Sequence, residues 1–425
     1  MSSKSPARVA PRRFIPWTAL LLTALIGITA LAPAEPIRNA VDFGPVADAR
    51  LERGLGYTVL GPVSAMFDAM TLFSVGQIIG FTLWAMGLYV VVRVVRQVYV
   101  RRVSLAREAA YAVIALVVLL GAYAAAIVMP RPMAKLILTR LDVIAIDFHA
   151  HTRYSHDGRP GWTAKDVQDW HTESGFNAAY ITDHRSFEGV REGLKLDSTL
   201  VGQEQVAVLL PGIEVFFHGE HVNILNAEVR FRGLLTADLI SVDDTALAFA
   251  SMIATSEPIV IETIPGNLSA IIPHSGPGSA GVRAIEIVAG SPRGMTQVKR
   301  DHDRIVRIAD SLDLTLVAGS DNHGWGRTAP GWTLMRIPGV WRTYAPDSLA
   351  NIIDDIIRMA GRRGSQVVER TTAGASPVEL GFTMPVVVWT VMRTLSSPER
   401  VAWLAWIWVP VLVLWLQRRR RAAMT

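Results

Sequence analysis

The chain has 425 residues, half of them hydrophobic, and 42 basic against 37 acidic side chains give it a formal net charge of +5. That apolar content exceeds what a wholly water-soluble domain carries, so membrane segments are expected from the outset. With no cysteine in the sequence, disulfides and thiolate ligands are excluded.

Reading from the N-terminus, uncharged runs of 21, 24 and 22 residues predict membrane spans near 14–34, 69–92 and 109–130. Each is long enough to cross a hydrocarbon core about 30 Å thick at about 1.5 Å per residue. A fourth run of 17 residues near 401–417 predicts one more span. The stretch 380–392 is too short to cross and reads as interfacial. Basic residues cluster at Lys4, Arg8, Arg12 and Arg13, at Arg93, Arg96, Arg101, Arg102 and Arg107, and at Arg418 to Arg421. Four spans put all three clusters in the cytoplasm and the region from about 131 to 400 on the extracytoplasmic side. The sequence ITALAPAEP (28–36) also has the small residues of a signal cleavage site, and either fate delivers Glu35 to the outer face. Because most of the excess charge is these flanking arginines, it speaks for membrane orientation. Nothing in it points to nucleic acid beyond a nucleotide as one conceivable substrate.

The expected organisation is a membrane region over 1–140, a soluble domain over 141–372, and an interfacial segment with a last span and basic tail over 373–425. In the soluble part, short apolar runs alternate with helical patterns. DVIAI (142–146), AAYIT (178–182), VAVLLPGIEV (206–215), HVNILNA (221–227), AIIPH (270–274), AIEIVAG (284–290) and LTLVAGS (314–320) read as strands, and 163–174 and 295–312 as helices. This predicts an α/β domain with a largely parallel sheet. Polar residues follow the runs with regularity. DFHAHTRYSHDG (147–158) brings Asp147, His149, His151 and Asp157, and the later runs bring His184, Glu214, His221, His274, Asp321 and His323. One such histidine is ordinarily a hydrogen-bonded structural residue. Six of the ten histidines together with three carboxylates, all at strand ends, would repel one another or lie buried and unpaired unless a cation joins them. Imidazole and carboxylate without sulfur suit zinc, manganese or iron. His171 and His302 lie in helical patterns and are expected on helix surfaces, and His218 is expected to be structural.

Taken in order, DFHAHT with SHDG downstream, ITDH, PGIE, HVNILN, IPHSG and GSDNHG resemble the motifs of the polymerase and histidinol phosphatase (PHP) family of metal-dependent phosphoesterases. The resemblance covers about 142–370. It implies a distorted seven-stranded β/α barrel flanked here by transmembrane helices, with two or three divalent metal ions at the strand ends. It also implies that His149, His151, Glu214 and Asp321 hold one ion, that Glu214 bridges to a second held by His221 and His274, and that Asp157, His184 and His323 hold a third. His156 before Asp157 and Ser275 after His274 depart from the family pattern.

Two nearby cations would lower the pKa of a shared water toward about 7 and clamp phosphoryl oxygens for in-line attack, which makes the expected activity phosphoester hydrolysis by a metal-activated hydroxide. In this scheme Glu214 and Asp321 are catalytic as ligands. Arg153 and Arg185, and less so Arg293, are candidates to grip substrate oxygens, against a plain role as solvated loop charges. The glycine-bearing stretches 276–281 and 289–294 could approach phosphate or be simple turns. A metal-binding sensory or scaffold domain without turnover is the competing reading. A transporter is disfavoured, because the spans carry no ionisable residue. Membrane tethering leaves lipid-linked and extracellular phosphoesters as the expected substrate pool.

Overall fold

The computed structural model describes residues 16–100, 104–199, 206–217, 220–226, 259–263, 266, 268–275 and 281–424. The strands are β1 (Ile37–Asn39), β2 (Ala49–Arg53), β3 (Ala134–Leu138), β4 (Val143–Ala150), β5 (Ala178–Ile181), β6 (Val208–Phe217), β7 (Glu220–Leu225), β8 (Val260–Glu262), β9 (Val282–Val288), β10 (Thr315–Ala318), β11 (Gly331–Arg336) and β12 (Gln366–Arg370). The helices are α1 (Trp17–Ala30), α2 (Leu55–Val59), α3 (Gly61–Thr71), α4 (Val75–Val100), α5 (Leu105–Val128), α6 (Ala164–Ser174), α7 (Glu188–Thr199), α8 (Leu268–Ile271), α9 (Pro292–Leu312), α10 (Pro346–Ala360), α11 (Pro377–Gly381), α12 (Thr383–Arg393) and α13 (Ser397–Met424).

The expectation of a seven-stranded barrel with a largely parallel sheet is corrected. Ten strands form one sheet in the order β1-β12-β11-β4-β5-β6-β7-β8-β9-β10, and β2 and β3 pair separately. Only β4-β5, β5-β6, β8-β9 and β9-β10 are parallel. The difference arises at two places. VLLPGIEVFF and EHVNIL form an antiparallel pair with Phe217 opposite Glu220, only two residues lying between them in the chain, which leaves no room for a crossover helix. At the other edge β11, β12 and β1 extend the sheet antiparallel, and β1 comes from the segment between the first two hydrophobic runs.

The sheet does not close, yet it curls. Past the end of β10, Asp321 N donates to His149 O at 2.8 Å, and His151 N donates to Asn322 O at 3.0 Å. The segment after the last strand is thereby stitched beside β4, a strand buried along its whole length. One layer of core, with Ile144, Ile146, Phe148, Tyr180 and Val317, packs under α10 through Leu349, Ile353 and Ile357. On α6, Thr163 and Asp166 form a reciprocal cap at the start, and Gly175 ends the helix at φ 89°. A Cβ at Gly175 would fall 2.2 Å from Leu136 O, so no other residue fits there.

Among the described residues, three helices are long and apolar enough to cross a membrane: Val75–Gln97, Ala106–Val128 and Ser397–Arg421. The first expected span is represented by α1, whose 14 described residues are shorter than the others. The second begins at Val75 instead of near 69, because the chain breaks between α3 and α4. Ser74 and Gln77 cap one another there, Ser74 N donating to Gln77 Oε1 at 3.0 Å and Gln77 N donating to Ser74 Oγ at 3.3 Å. The stretch expected to be interfacial folds as α11 and α12, packed against α4 and α1.

A buried ion cluster joins the apolar helices to the sheet. Asp68 of α3 accepts from Arg131 Nη2 at 3.0 Å, Arg370 Nη1 at 3.1 Å, Thr328 Oγ1 at 2.9 Å and Tyr57 Oη at 3.0 Å. Two guanidiniums and two hydroxyls compensate a carboxylate that would be costly to bury alone.

Candidate metal centre

The site forms where β4, β5, β6 and β10 end. Glu214 stands at its centre. Its Oε2 lies 2.9 Å from His149 Nε2, 3.3 Å from His151 Nε2 and 3.4 Å from His184 Nδ1, while its Oε1 lies 2.5 Å from His221 Nδ1. Asp321 Oδ1 approaches the Nε2 atoms of His149 and His151 at 3.5 and 3.4 Å, and His323 Nδ1 at 3.4 Å. Asp157 reaches His323 Nε2 at 3.1 Å and His184 Nε2 at 3.6 Å.

Eight of the nine expected ligands therefore converge. The ninth, His274, ends a short 3-10 turn (Ile272–His274) whose last side chain lies outside the described residues. Four groups offer ligand atoms within 4.8 Å of one another: His149, His151 and Asp321; His184, Glu214 and His221; His151, His184 and His323; and His156, Asp157 and His184. His184 is thus shared, where it was expected at the third position alone. His156 lies with Asp157 and His184 in one of these groups. Asp157, with its side chain 48% exposed, is the least enclosed of the carboxylates.

The electrostatics sort the imidazoles into two kinds. Burial pulls His149 and His151 down, but the facing Glu286, Glu214 and Asp321 carboxylates overcome it; His149 ends well above its ordinary value and His151 at about 9. Burial likewise opposes ionisation of Glu214 and Asp321, and the same histidines more than offset it, holding both carboxyls well below the usual range. His184 and His323 go the other way. Burial and the neighbouring charge on His151 lower both, His184 to about 4, so these rings are neutral and have lone pairs to offer near neutral pH.

The donor set fits a group of cations. His151 Nε2 and His323 Nε2 are buried with no hydrogen-bond partner among the described residues. Each orphaned nitrogen sits where a metal ligand would, and all the donors are nitrogen or oxygen, as zinc, manganese or iron accept.

Behind the ligands stands a layer that sequence reasoning passed over. His149 Nδ1 meets Glu286 Oε1 at 2.8 Å, which fixes the ring so that Nε2 faces Glu214. Ser155 Oγ lies 2.9 Å from His151 Nδ1 and donates to Asp183 Oδ1 at 3.0 Å. Asp183 also accepts from Thr152 N and Oγ1, tying down the loop that carries Asp157. Asp147 does not join His149 and His151. The register of β4 against β5 shifts after Asp147, and its carboxylate instead accepts from His149 N and Ser320 N and meets His171 Nε2 at 2.7 Å. His171 is consequently fully buried, which corrects its expected place on a helix surface. His302 is half-buried, stacked on Phe43 with Nε2 on Ala40 O. A carboxylate inside the apolar run AIEIVAG was the available sign of Glu286, since an acid so placed needs a partner.

The arginines are less committed to the centre. Arg153 turns to Glu192 Oε2 and Tyr154 Oη, each at 3.2 Å. Arg185 sits on the ligand loop at φ 53°, its backbone N donating to Glu214 O at 3.1 Å. Arg293 is exposed on the first turn of α9. Of the glycine-bearing stretches, 276–280 lies outside the described residues. In the other, Gly290 comes so close to Ser320 O that a Cβ would fall 1.7 Å from it, so packing accounts for this glycine. His218 also lies outside the described residues.

Glu286→Gln should weaken metal binding by about 10–100-fold while the domain stays folded, as loss of a carboxylate behind a ligating imidazole does elsewhere. Metal titration beside a melting curve checks this, and unchanged affinity would reduce Glu286 to a packing residue.

Neither a family model nor a curated protein matches the sequence. Among solved structures, the chain is similar to PsfC from Pseudomonas syringae at 17% identity and a TM-score of 0.34, over 59% of this chain and 98% of that one. It is similar to the "putative metal-dependent phosphoesterase" from Bifidobacterium adolescentis at 16% identity and a TM-score of 0.30, over 49% and 95%. It is also similar to the lesion-specific endonuclease PfuEndoQ from Pyrococcus furiosus at 14% identity and a TM-score of 0.35, over 55% and 60%. Likenesses at this level assign neither family nor substrate, and the chemistry must be read from the site.

Proposed function

We propose that this protein is a membrane-tethered, metal-dependent phosphoesterase. The observation that carries the reading is Glu214, whose two oxygens face different imidazoles, His149, His151 and His184 on one side and His221 on the other. A carboxylate so placed is built to join two ion positions. His149, His151 and Asp321 would hold one manganese, zinc or iron ion with Glu214. His221 and His184 would flank a second, and Asp157 and His323 would hold a third beside His184. Bound there, the ions would supply a water acidified toward neutral pH and positive charge for the phosphoryl oxygens.

The protein's own part is orientation and proton placement. Glu286 holds the Nδ1 proton of His149, and Ser155 engages Nδ1 of His151, so both rings present Nε2 to the centre. His184 and His323 stay neutral and need lose no proton to bind. Arg185, beside Glu214 on the same rim, is the candidate to meet a substrate oxygen. The three basic clusters flanking the spans support an extracytoplasmic position for this domain.

Full-length protein in detergent should hydrolyse an aryl phosphate or its diester in the presence of Mn²⁺ or Zn²⁺, lose that activity with a strong chelator, and regain it on adding metal back. Metal bound at two or three equivalents with no turnover of either ester would favour the sensory reading instead. Undiminished hydrolysis with no metal bound would remove the centre from the mechanism.

A further inference from the structure

We infer that the substrate is a phosphoester resident in the bilayer, a lipid phosphate presented at headgroup depth. This rests on the phosphoesterase reading above and adds where the substrate comes from.

The inference begins with the loop that carries the last ligands. Gly326 N donates to Ile127 O at 2.9 Å, and Ile127 is the penultimate residue of the apolar stretch Ala106–Val128. Its 23 residues are long enough to cross the hydrocarbon core. The end that touches Gly326 therefore lies at the core boundary. Gly326 is three residues from His323, a separation of at most about 10 Å in an extended chain. The ring of His323 stacks on that of His151 with 3.9 Å between centroids. The candidate centre is thus held close to the edge of the apolar core, which is itself flanked by polar layers some 5–7 Å deep.

The attachment is rigid. Thr71 Oγ1 donates to Thr328 Oγ1 at 3.0 Å, and Thr328 and Arg131 both bind the buried Asp68. These bonds clamp the ligand loop against the ends of α3 and α5. The loops themselves have the composition of a membrane interface. Trp325 is 44% exposed, with the Arg159 guanidinium 5.6 Å from its ring, and Arg159 N donates to His323 O. Tyr154, next to Ser155 in the chain, is 38% exposed with the Arg153 guanidinium 5.1 Å from its ring. Exposed aromatic rings carrying arginines on both ligand-bearing loops suit the level of lipid phosphates. A substrate dissolved in water would call for none of this.

The absence of native cysteine makes the test direct. Trp325→Cys, labelled with a nitroxide in the full-length protein reconstituted in phosphatidylcholine vesicles, should report a depth within the headgroup layer. In parallel, wild type and Trp325→Ala are assayed with Mn²⁺ on three lipids carried in such vesicles, phosphatidate, phosphatidylglycerol and a polyprenyl phosphate, and on a soluble aryl phosphate. At least one lipid should be cleaved, and Trp325→Ala should slow that cleavage about tenfold while aryl phosphate turnover stays within about twofold. A nitroxide in bulk water, or aryl phosphate cleaved with all three lipids untouched, overturns the inference and leaves the phosphoesterase reading standing. With metal fully loaded, failure on every ester overturns that reading and the inference with it.

Discussion

Glu214→Gln should lose metal at more than one position and reduce turnover by at least about a hundredfold, more than removal of any ligand that serves a single ion. The side chain keeps its volume and one oxygen, so packing is little disturbed. What goes is the charge that faces His149, His151 and His184 through one oxygen and His221 through the other. An ordinary buried glutamate would behave differently, costing about 1 kcal/mol of stability while activity survived. Elemental analysis and hydrolysis rates for Glu214→Gln beside Lys165→Gln, an exposed lysine paired with Asp169 on α6, separate the two. His171 would be a poor control, because it is buried against Asp147. Wild-type loading and turnover in the Glu214 variant would end the bridging role.

Metal affinity should climb steeply with pH up to about 9. His151, held protonated by Glu214 and Asp321 up to about 9, must lose its proton before Nε2 can bind an ion, and His149 is raised as well. Each proton displaced makes affinity rise about tenfold per pH unit, so two protons give a slope near two on logarithmic axes. Chelated protein should show the opposite trend in stability. The raised histidines contribute stability that is full below about 6.5, the unfolded value, and is lost as pH rises through the folded one. The depressed carboxyls of Glu214 and Asp321 contribute stability that is present above about 4 and lost as pH falls. His184 and His323, lowered by burial, cost stability as pH falls below about 6.5, so metal-free protein should melt highest near pH 6.5, and adding metal should raise the melting temperature most above that pH. A pH-independent affinity from 6 to 8 would mean that the ions bind elsewhere.

The candidate ligands were legible because they are charged or polar residues set inside or just beyond short apolar runs. His184 after AAYIT and Asp321 after LTLVAGS interrupt a pattern that burial alone explains. Residues inside a pattern were harder. His171 looks like a surface position in the polar helix AKDVQDWHTES, yet it lies four residues after Val167 and one after Trp170, on the face those two bury. Run counting also misplaced the start of the second span, since a charge-free stretch does not reveal a break in the chain. The Ser74 and Gln77 pair could have shown it. The extra strands were invisible for a different reason. β1 is three residues long, and its partner lies at the far end of the domain.

That pairing bears on how the protein can be made. Ile37 lies opposite Arg370, 333 positions further on, since 370 − 37 = 333. At about 5–20 residues per second, a ribosome needs roughly 17–67 s to supply the partner after the first strand has emerged. Throughout that time the two long apolar helices α4 and α5 and most of the sheet are synthesised, while the first strand has unpaired backbone groups along its edge. The edge of the sheet that carries the candidate site is therefore completed late in translation. A ribosomal pause or a slow insertion step between these two segments prolongs an aggregation-prone intermediate.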